Sequence, residues 1–469
     1  MIIEDLQTYD HRTGIEEDIL AKGVRNMVVA PIYYQDELIG ILQLGSPHPG
    51  DFHALNTMKL REVLPLFALA IRRIVDELNT RVQAVIKEQC TAIHPAVEWR
   101  FRQAAMNWMA QRKAGIMAEM EPIVFDHVYP LYGVSDIRGS SSLRSDAIRA
   151  DLIEHLDQIK AILRLGYGHQ PLPILAALVY RVDTWVAALN MGLGSGDEIS
   201  VIDFVQRDIE PMFARLQALG PDVATRIQAY QEMIDPRLGT IYRQRKDFEN
   251  SVTQINDVLS TYLDAEQEKA QAMFPHYFEK HKTDGIEFGI YIGASLVEDG
   301  QFDMLYLYNL RLWQLMTMCG LVRQAKAIQS ELELPLATAH LILVQDVPLS
   351  VRFRIDEKRF DVDGAYNVRY EIVKKRIDKA LIKGTHERLT QPGKIAIVYA
   401  QSKEAIEYRG YINYLQSIGY LTHEVEELEL TDLDGAQGLK ALRVTVDIDA
   451  CLLACALPVE HLTQVVEIA

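Results

Sequence analysis

The chain has 469 residues, 49% apolar and 24% charged, a globular composition long enough for about three domains of ~150 residues each. Its net charge of −17 disfavours non-specific association with nucleic acid or anionic lipid. No window reaches the ~18 consecutive apolar residues of a membrane span, and the start, MIIEDLQTYDHRTG, lacks the basic flank and apolar core of a signal peptide.

In chain order, Ile2-Ile3 is a short apolar run, and Thr13 is placed to cap a helix from Gly14 to Lys22 that stops at Gly23. Two strands follow, about 27–34 and 38–44, joined by the polar turn Gln35-Asp36-Glu37, a hairpin signature. From Phe52 the period becomes helical, with Phe67, Ile71, Ile74, Leu78, Val82 and Val85 recurring every three or four residues. Pro65 is expected to kink this helix and Pro95 to end it. Its stripe serves either as a face packed on its own sheet and the next helices, or as a dimerisation seam.

Residues 96 to about 330 read as mostly helical, with candidates at 96–112, 143–165, 171–190, 199–217, 221–233, 240–270 and 303–331. Only 286–298, IEFGIYIGASLVE, interrupts them as a strand pair or irregular piece. Strands return at 339–345 and 350–356. A helix from about Tyr366 should bury Tyr366, Tyr370, Val373, Ile377, Ala380 and Leu381. A strand at 394–400, a helix at 403–418 and strands at 423–430 and 439–448 complete a β-β-α-β-α-β-β domain. The apolar tail after Ala450 is unassigned.

Four cysteines (Cys90, Cys319, Cys451 and Cys455) are too few and scattered for a disulfide framework. Cys451 and Cys455 have no second pair to complete a zinc site. They read as the reduced thiols of a cytoplasmic protein.

Polar clusters supply the candidate ligand-binding residues. Around Arg138, the run from Ser135 to Ser142 enters a helix at Leu143. Ser140 and Ser141 there fit an anion site at a helix start or an ordinary capping region. The segment from Pro275 to Glu287 concentrates His276, Lys282 and Asp284; it reads as a salt-bridged loop or as an acid–base or metal-binding loop, and its spacing matches no named metal motif. On the strand at 350–356, alternation puts Arg352, Arg354 and Asp356 on one face. Asp361-Val-Asp363-Gly364 lacks the later ligands of a calcium loop, and Asp363 is better placed as a helix cap. Lys375 belongs to a basic run, Arg369 to Arg388, which is either an exposed face paired with Glu371, Asp378 and Glu387 or a surface for an acidic partner or phosphorylated ligand. No aromatic stacking platform accompanies it, so nucleic acid is not expected. No Walker loop, dinucleotide fingerprint or nucleophile elbow is present.

Ala30-Pro31-Ile32, the run from Glu37 to Ser46 and the run from Leu64 to Ala70 resemble the C-terminal half of a GAF domain: strand, turn, strand ending in a small residue, closing helix. YGVSDIRGSS, PHYFEKHKTDGIEFGIYIG and FRIDEKRFDVDGAYNVRYEIVKKRIDKA resemble the long C-terminal part of a bacterial group of GAF-domain-containing proteins. GAF ligands sit between both halves of the module, and the first half would precede Met1. The resemblance therefore implies a sensor lineage and assigns no ligand contact.

The expected fold is helix-rich α+β: a partial GAF-like domain at 1–80, a mostly helical domain at 81–335 and an α/β domain at 336–469. The expected function is regulatory, through a small molecule or a partner, with a homodimer formed by the 53–94 helix. The alternative is an enzyme or binding protein for a phosphorylated or nucleotide ligand, using the Arg352–Asp363 and His276–Glu287 loops together. The sequence names no catalytic residue, metal ligand or cofactor.

Overall fold

The computed structural model describes all residues except 90–92, 117–118, 355, 357–358, 364–367, 434–435 and 449–469. The fold is helix-rich α+β, as expected. By contacts the chain divides into two units rather than three, Met1–Ile123 with Phe353–Arg359, and Val124–Arg352 with Phe360–Ala469.

In the first unit, β1 (Ile2–Ile3), β2 (Asn26–Tyr34) and β3 (Glu37–Ser46) form an antiparallel sheet in that order, with α1 (Gly14–Ala21) between β1 and β2. Gln35 and Asp36 both take positive φ, 47° and 66°, which suits the two-residue turn joining twisted strands. The Thr13 N–H donates to Glu16 Oε2 at 2.9 Å, the capping box at the start of α1. α2 (Leu60–Gln89) runs for 30 residues through Pro65. It buries Ala68, Val82 and Ile86 against the unit, while Leu66, Phe67, Ile74 and Leu78 stay exposed. The predicted stripe is thus exposed along its first part and buried toward its end. α3 (Glu98–Lys113) follows, and Phe101 meets Phe353 edge-on at 4.9 Å.

The second unit opens with β4 (Val124–Ile137), which pattern reading placed among helices. Then come α4 (Ser140–His169), α5 (Pro173–Met191), α6 (Asp197–Phe204), α7 (Phe213–Gln217), α8 (Pro221–Met233), the short pair β5 (Ile234–Asp235) and β6 (Thr240–Ile241), and α9 (Gln244–Met273). α4 to α8 enclose their own core around Leu156, Ile159, Val182, Val205 and Ile227. α5 is, among the described helices, the one long and apolar enough to cross a bilayer by composition; it turns Leu175, Leu178, Val182 and Leu189 into this core. The Asp151 carboxylate on α4 accepts the Gln244 and Arg245 N–H groups at 2.9 and 3.0 Å, capping α9 from outside.

The hairpin β7 (Tyr277–Thr283) and β8 (Gly285–Ile292) comes next, then α10 (Met304–Ile328), β9 (Thr338–Leu343), β10 (Leu349–Arg354), β11 (Arg359–Asp363), α11 (Val368–Lys374), β12 (Lys394–Tyr399), α12 (Ser402–Ser417), β13 (Leu421–Glu429) and β14 (Lys440–Val446). These strands and β4 build one nine-stranded sheet, ordered β11-β10-β4-β9-β12-β14-β13, with β8 also on β4 and β7 outside β8. The boundary expected at 335/336 therefore falls inside a single sheet. Its β4–α–β7–β8–α10–β9 part, with strands adjacent as β7-β8-β4-β9 and antiparallel, is a ferredoxin-like βαββαβ unit.

One face of the sheet packs Leu131, Ile137, Phe288 and Ile342 against α9, α10 and α12. The other packs Tyr132, Leu341 and Val398 against Tyr370, Val373, Ile377 and Ala380. The last four belong to the face expected for the helix at 366–381. That segment is only a short helix followed by a 3-10 turn at Ile377–Lys379, and Tyr366 lies outside the described residues.

Candidate functional site

The predicted residues do not form one site. Asp284 is the single residue turning β7 into β8, while Arg352 pairs with Val124 at the opposite end of β4. Most of the 14 residues of β4 separate them, about 40 Å at ~3.3 Å per residue. The segment expected as a loop at 276–287 is a hairpin: its Asp284 end lies far from Arg352, while at its other end Tyr277 meets Phe360 at 4.8 Å between ring centroids. His276 is fully buried, with Nε2 at 2.7 Å from the Gln267 amide and Nδ1 at 2.8 Å from the Phe274 carbonyl. Lys282 reaches Asp257 on α9 at 3.0 Å. Arg352 pairs with Asp363 at 3.1 Å, and Arg354 with Asp356 at 3.3 Å. Asp361 bonds the neighbouring Val362 N–H. The residues that Asp363 was expected to cap begin outside the described part.

Arg138, Ser140, Ser141 and Asp284 do come together, at the C-terminal end of β4. The Ile137 N–H donates to the Asp284 carbonyl and the Arg138 N–H to the Ala337 carbonyl, each at 2.8 Å, so the strand end is fastened on both sides. Gly139, at φ 69°, swings the chain into α4 and offers no side-chain cap. The first N–H groups of this 30-residue helix thus lack the carboxylate that Asp151 gives α9. Arg144, one turn on, closes on Asp284 Oδ1 at 2.5 Å. Arg138 is exposed and its guanidinium donates to the Gln391 side-chain oxygen; among the described residues no carboxylate pairs with it. Ser141 and Ser142 line an open cleft of about 350 Å³ with Arg149 and Gly192.

A second cluster lies on the sheet face under α11. There the Lys374 ammonium sits 3.3 Å from Glu287 and 3.7 Å from Glu279, and 5.0 Å from the Tyr132 ring centroid. Burial pushes the Glu279 carboxyl above its ordinary range against the pull of Lys374 and His281. Lys374 fills this seat, and its neighbour Lys375 is exposed. Sequence reasoning missed Arg144 and Gln391, and it held Glu279 and Glu287 in one cluster and Lys374 in another, because their meeting depends on pairings distant in sequence. Among the described residues no group of three metal-ligating side chains converges.

The upper cavity at the same strand end holds about 200 Å³ beneath the last turns of α10. It is bounded by Val322, Ala325, Lys326, Leu336, Thr338 and Pro392, among others.

No family model matches the chain, and no curated protein matches it. Among solved structures it is similar to the crystal structure of the guanylyl cyclase Cya2, at 12% identity over 42% of this chain and 81% of that one, with a TM-score of 0.23. A likeness at that level carries no argument about activity.

Proposed function

We propose that this chain is a cytoplasmic regulatory protein that responds to a phosphorylated small molecule bound at the C-terminal end of β4. Arg138 is the anion anchor, and the α4 start with Ser140 and Ser141 supplies further donors. The observation that carries this reading is Arg138 itself. In a chain of net charge −17 it is an exposed guanidinium that donates to a neutral amide side chain, beside an uncapped helix start. Guanidinium donors match phosphate oxygens two at a time, and a helix start adds N–H groups and a favourable dipole. The reading keeps the small-molecule half of the expected function and replaces the two-loop site.

The test is a thermal-shift and calorimetric titration with inorganic phosphate and nucleoside mono-, di- and triphosphates. Arg138→Ala should weaken binding about tenfold or more, the effect of losing one charge-assisted bond. Unchanged affinity in that variant would sink the proposal.

The partner in this reading is a second copy, joined through α2. Leu66, Phe67, Ile74 and Leu78, with Val63, leave an apolar stripe exposed. It spans about 22 Å at ~1.5 Å per residue, long enough for paired helices.

A further inference from the structure

We infer that the cavity beneath the last turns of α10 is the body pocket of the same ligand, which is then a phosphomonoester carrying one ring-sized apolar group. The inference rests on the reading of Arg138 as anion anchor and adds the other half of the molecule.

The cavity walls are apolar where Val322, Ala325, Leu336 and Pro392 meet. Two cations stand at its edge. Lys326 lines it directly, and its ammonium donates to the Gln329 side-chain oxygen at 2.9 Å. Arg138 reaches the mouth twice: its N–H holds the Ala337 carbonyl at 2.8 Å, and its guanidinium holds the Gln391 side chain. Ala337 lines the cavity and Gln391 immediately precedes the lining Pro392. Among the described residues neither cation is in an ion pair, although many other Lys and Arg side chains are, including Arg144, Arg311, Lys374 and Arg443.

Volume sets the class of the apolar group. A cavity of about 200 Å³ is below the ~300–1,000 Å³ of drug-sized sites. It is comparable with the ~150 Å³ apolar cavity that accepts benzene. One ring fits and a fused polycyclic body does not. The geometry of an apolar floor with two cations at the rim calls for an anionic head on a short apolar body, since burial rewards the body and the rim rewards the head.

The experiment compares inorganic phosphate with phenyl phosphate by calorimetry on the full chain. Phenyl phosphate should bind at least tenfold more tightly than inorganic phosphate. Ala325→Leu, which adds bulk inside the cavity, should bring the two affinities within twofold. Lys326→Ala, on an exposed turn, should weaken both probes, and it serves if the cavity variant melts early. Equal affinities in the unaltered protein overturn the cavity assignment while the Arg138 reading stands. Binding of neither probe overturns both.

Discussion

Ser135 Oγ stands 2.7 Å from His340 Nδ1, and the ring's other nitrogen is 2.9 Å from Thr338 Oγ1. All three residues are buried on strands β4 and β9. The pairing resembles a nucleophile and its base, but Ser135 and His340 are fully buried. It is a polar rivet across the sheet, and burial pushes the imidazole down to about 3.

A pH dependence follows from that shift. The folded imidazole stays neutral while the unfolded one takes a proton near its ordinary ~6.5. Between about 6.5 and 3 the unfolded state therefore binds more protons, and stability falls as pH falls. His155, pushed down to about 4 by burial, adds in the same direction. Below 4.5, Glu426, held at about 2 chiefly by its hydrogen bond from Arg443, extends the loss. Urea midpoints should drop steadily from pH 7 to 4.5, and His340→Gln should flatten part of that slope. A midpoint constant over this range would contradict the assignment.

Gly285 should not tolerate a side chain. Its φ is 145°, and an added Cβ would lie 2.3 Å from the Ser135 carbonyl oxygen and 2.8 Å from Asp136 Cα. Neither backbone atom can yield without breaking the β4–β8 register. Gly285→Ala should cost roughly 2 kcal/mol or more and displace Asp284 from Arg144. Chemical denaturation measures the cost; a loss below the experimental scatter would show that the hairpin is not held as described.

Arg311 is nearly buried, at 2% side-chain exposure, and joins three segments. It pairs with Glu407 at 2.7 Å and Asp346 at 3.1 Å and donates to the Gln345 carbonyl. Burial opposes its charge, but the acidic surroundings outweigh that and raise its pKa. Arg311→Met leaves the Glu407 carboxylate without its cation, while Asp346 keeps its pair with Lys403, and should destabilise the protein by about 3 kcal/mol. The double variant Arg311→Met, Glu407→Gln should recover a good part of the loss. Absence of any recovery would mean the ion pair is not the cause.

The α2 stripe makes a prediction about assembly. The unaltered chain should sediment as a dimer at micromolar concentration, and Leu66→Glu with Ile74→Glu should sediment as a monomer with an unchanged melting temperature. A monomeric parent protein would remove the proposal.

Helices were legible wherever Pro and Gly marked their ends. The helix expected at 221–233 begins at Pro221 and ends at Met233. β4 was not legible because Pro130 and Gly133 break its pattern; Gly133 stands there because a Cβ would lie 2.5 Å from the Phe288 ring. β7 was not legible either. Glu279 carries charge where a strand facing the core would carry carbon, since Lys374 of α11 comes to meet it. The Arg138–Ser141 cluster could be seen as a local run. Its link to Asp284 needed the hairpin, and the separation of Arg352 needed the length of β4.

The seam between β4 and β9 also sets a schedule. Ser135 leaves the ribosome 205 residues before His340, about 10–40 s at ~5–20 residues per second. In that interval the helices from α4 to α9 and the β7–β8 hairpin are already made, and β4 can pair with β8 on one side only. Its other edge stays open to any passing strand until β9 arrives. The helical layers folded in the meantime are what the described chain has in place to cover that edge.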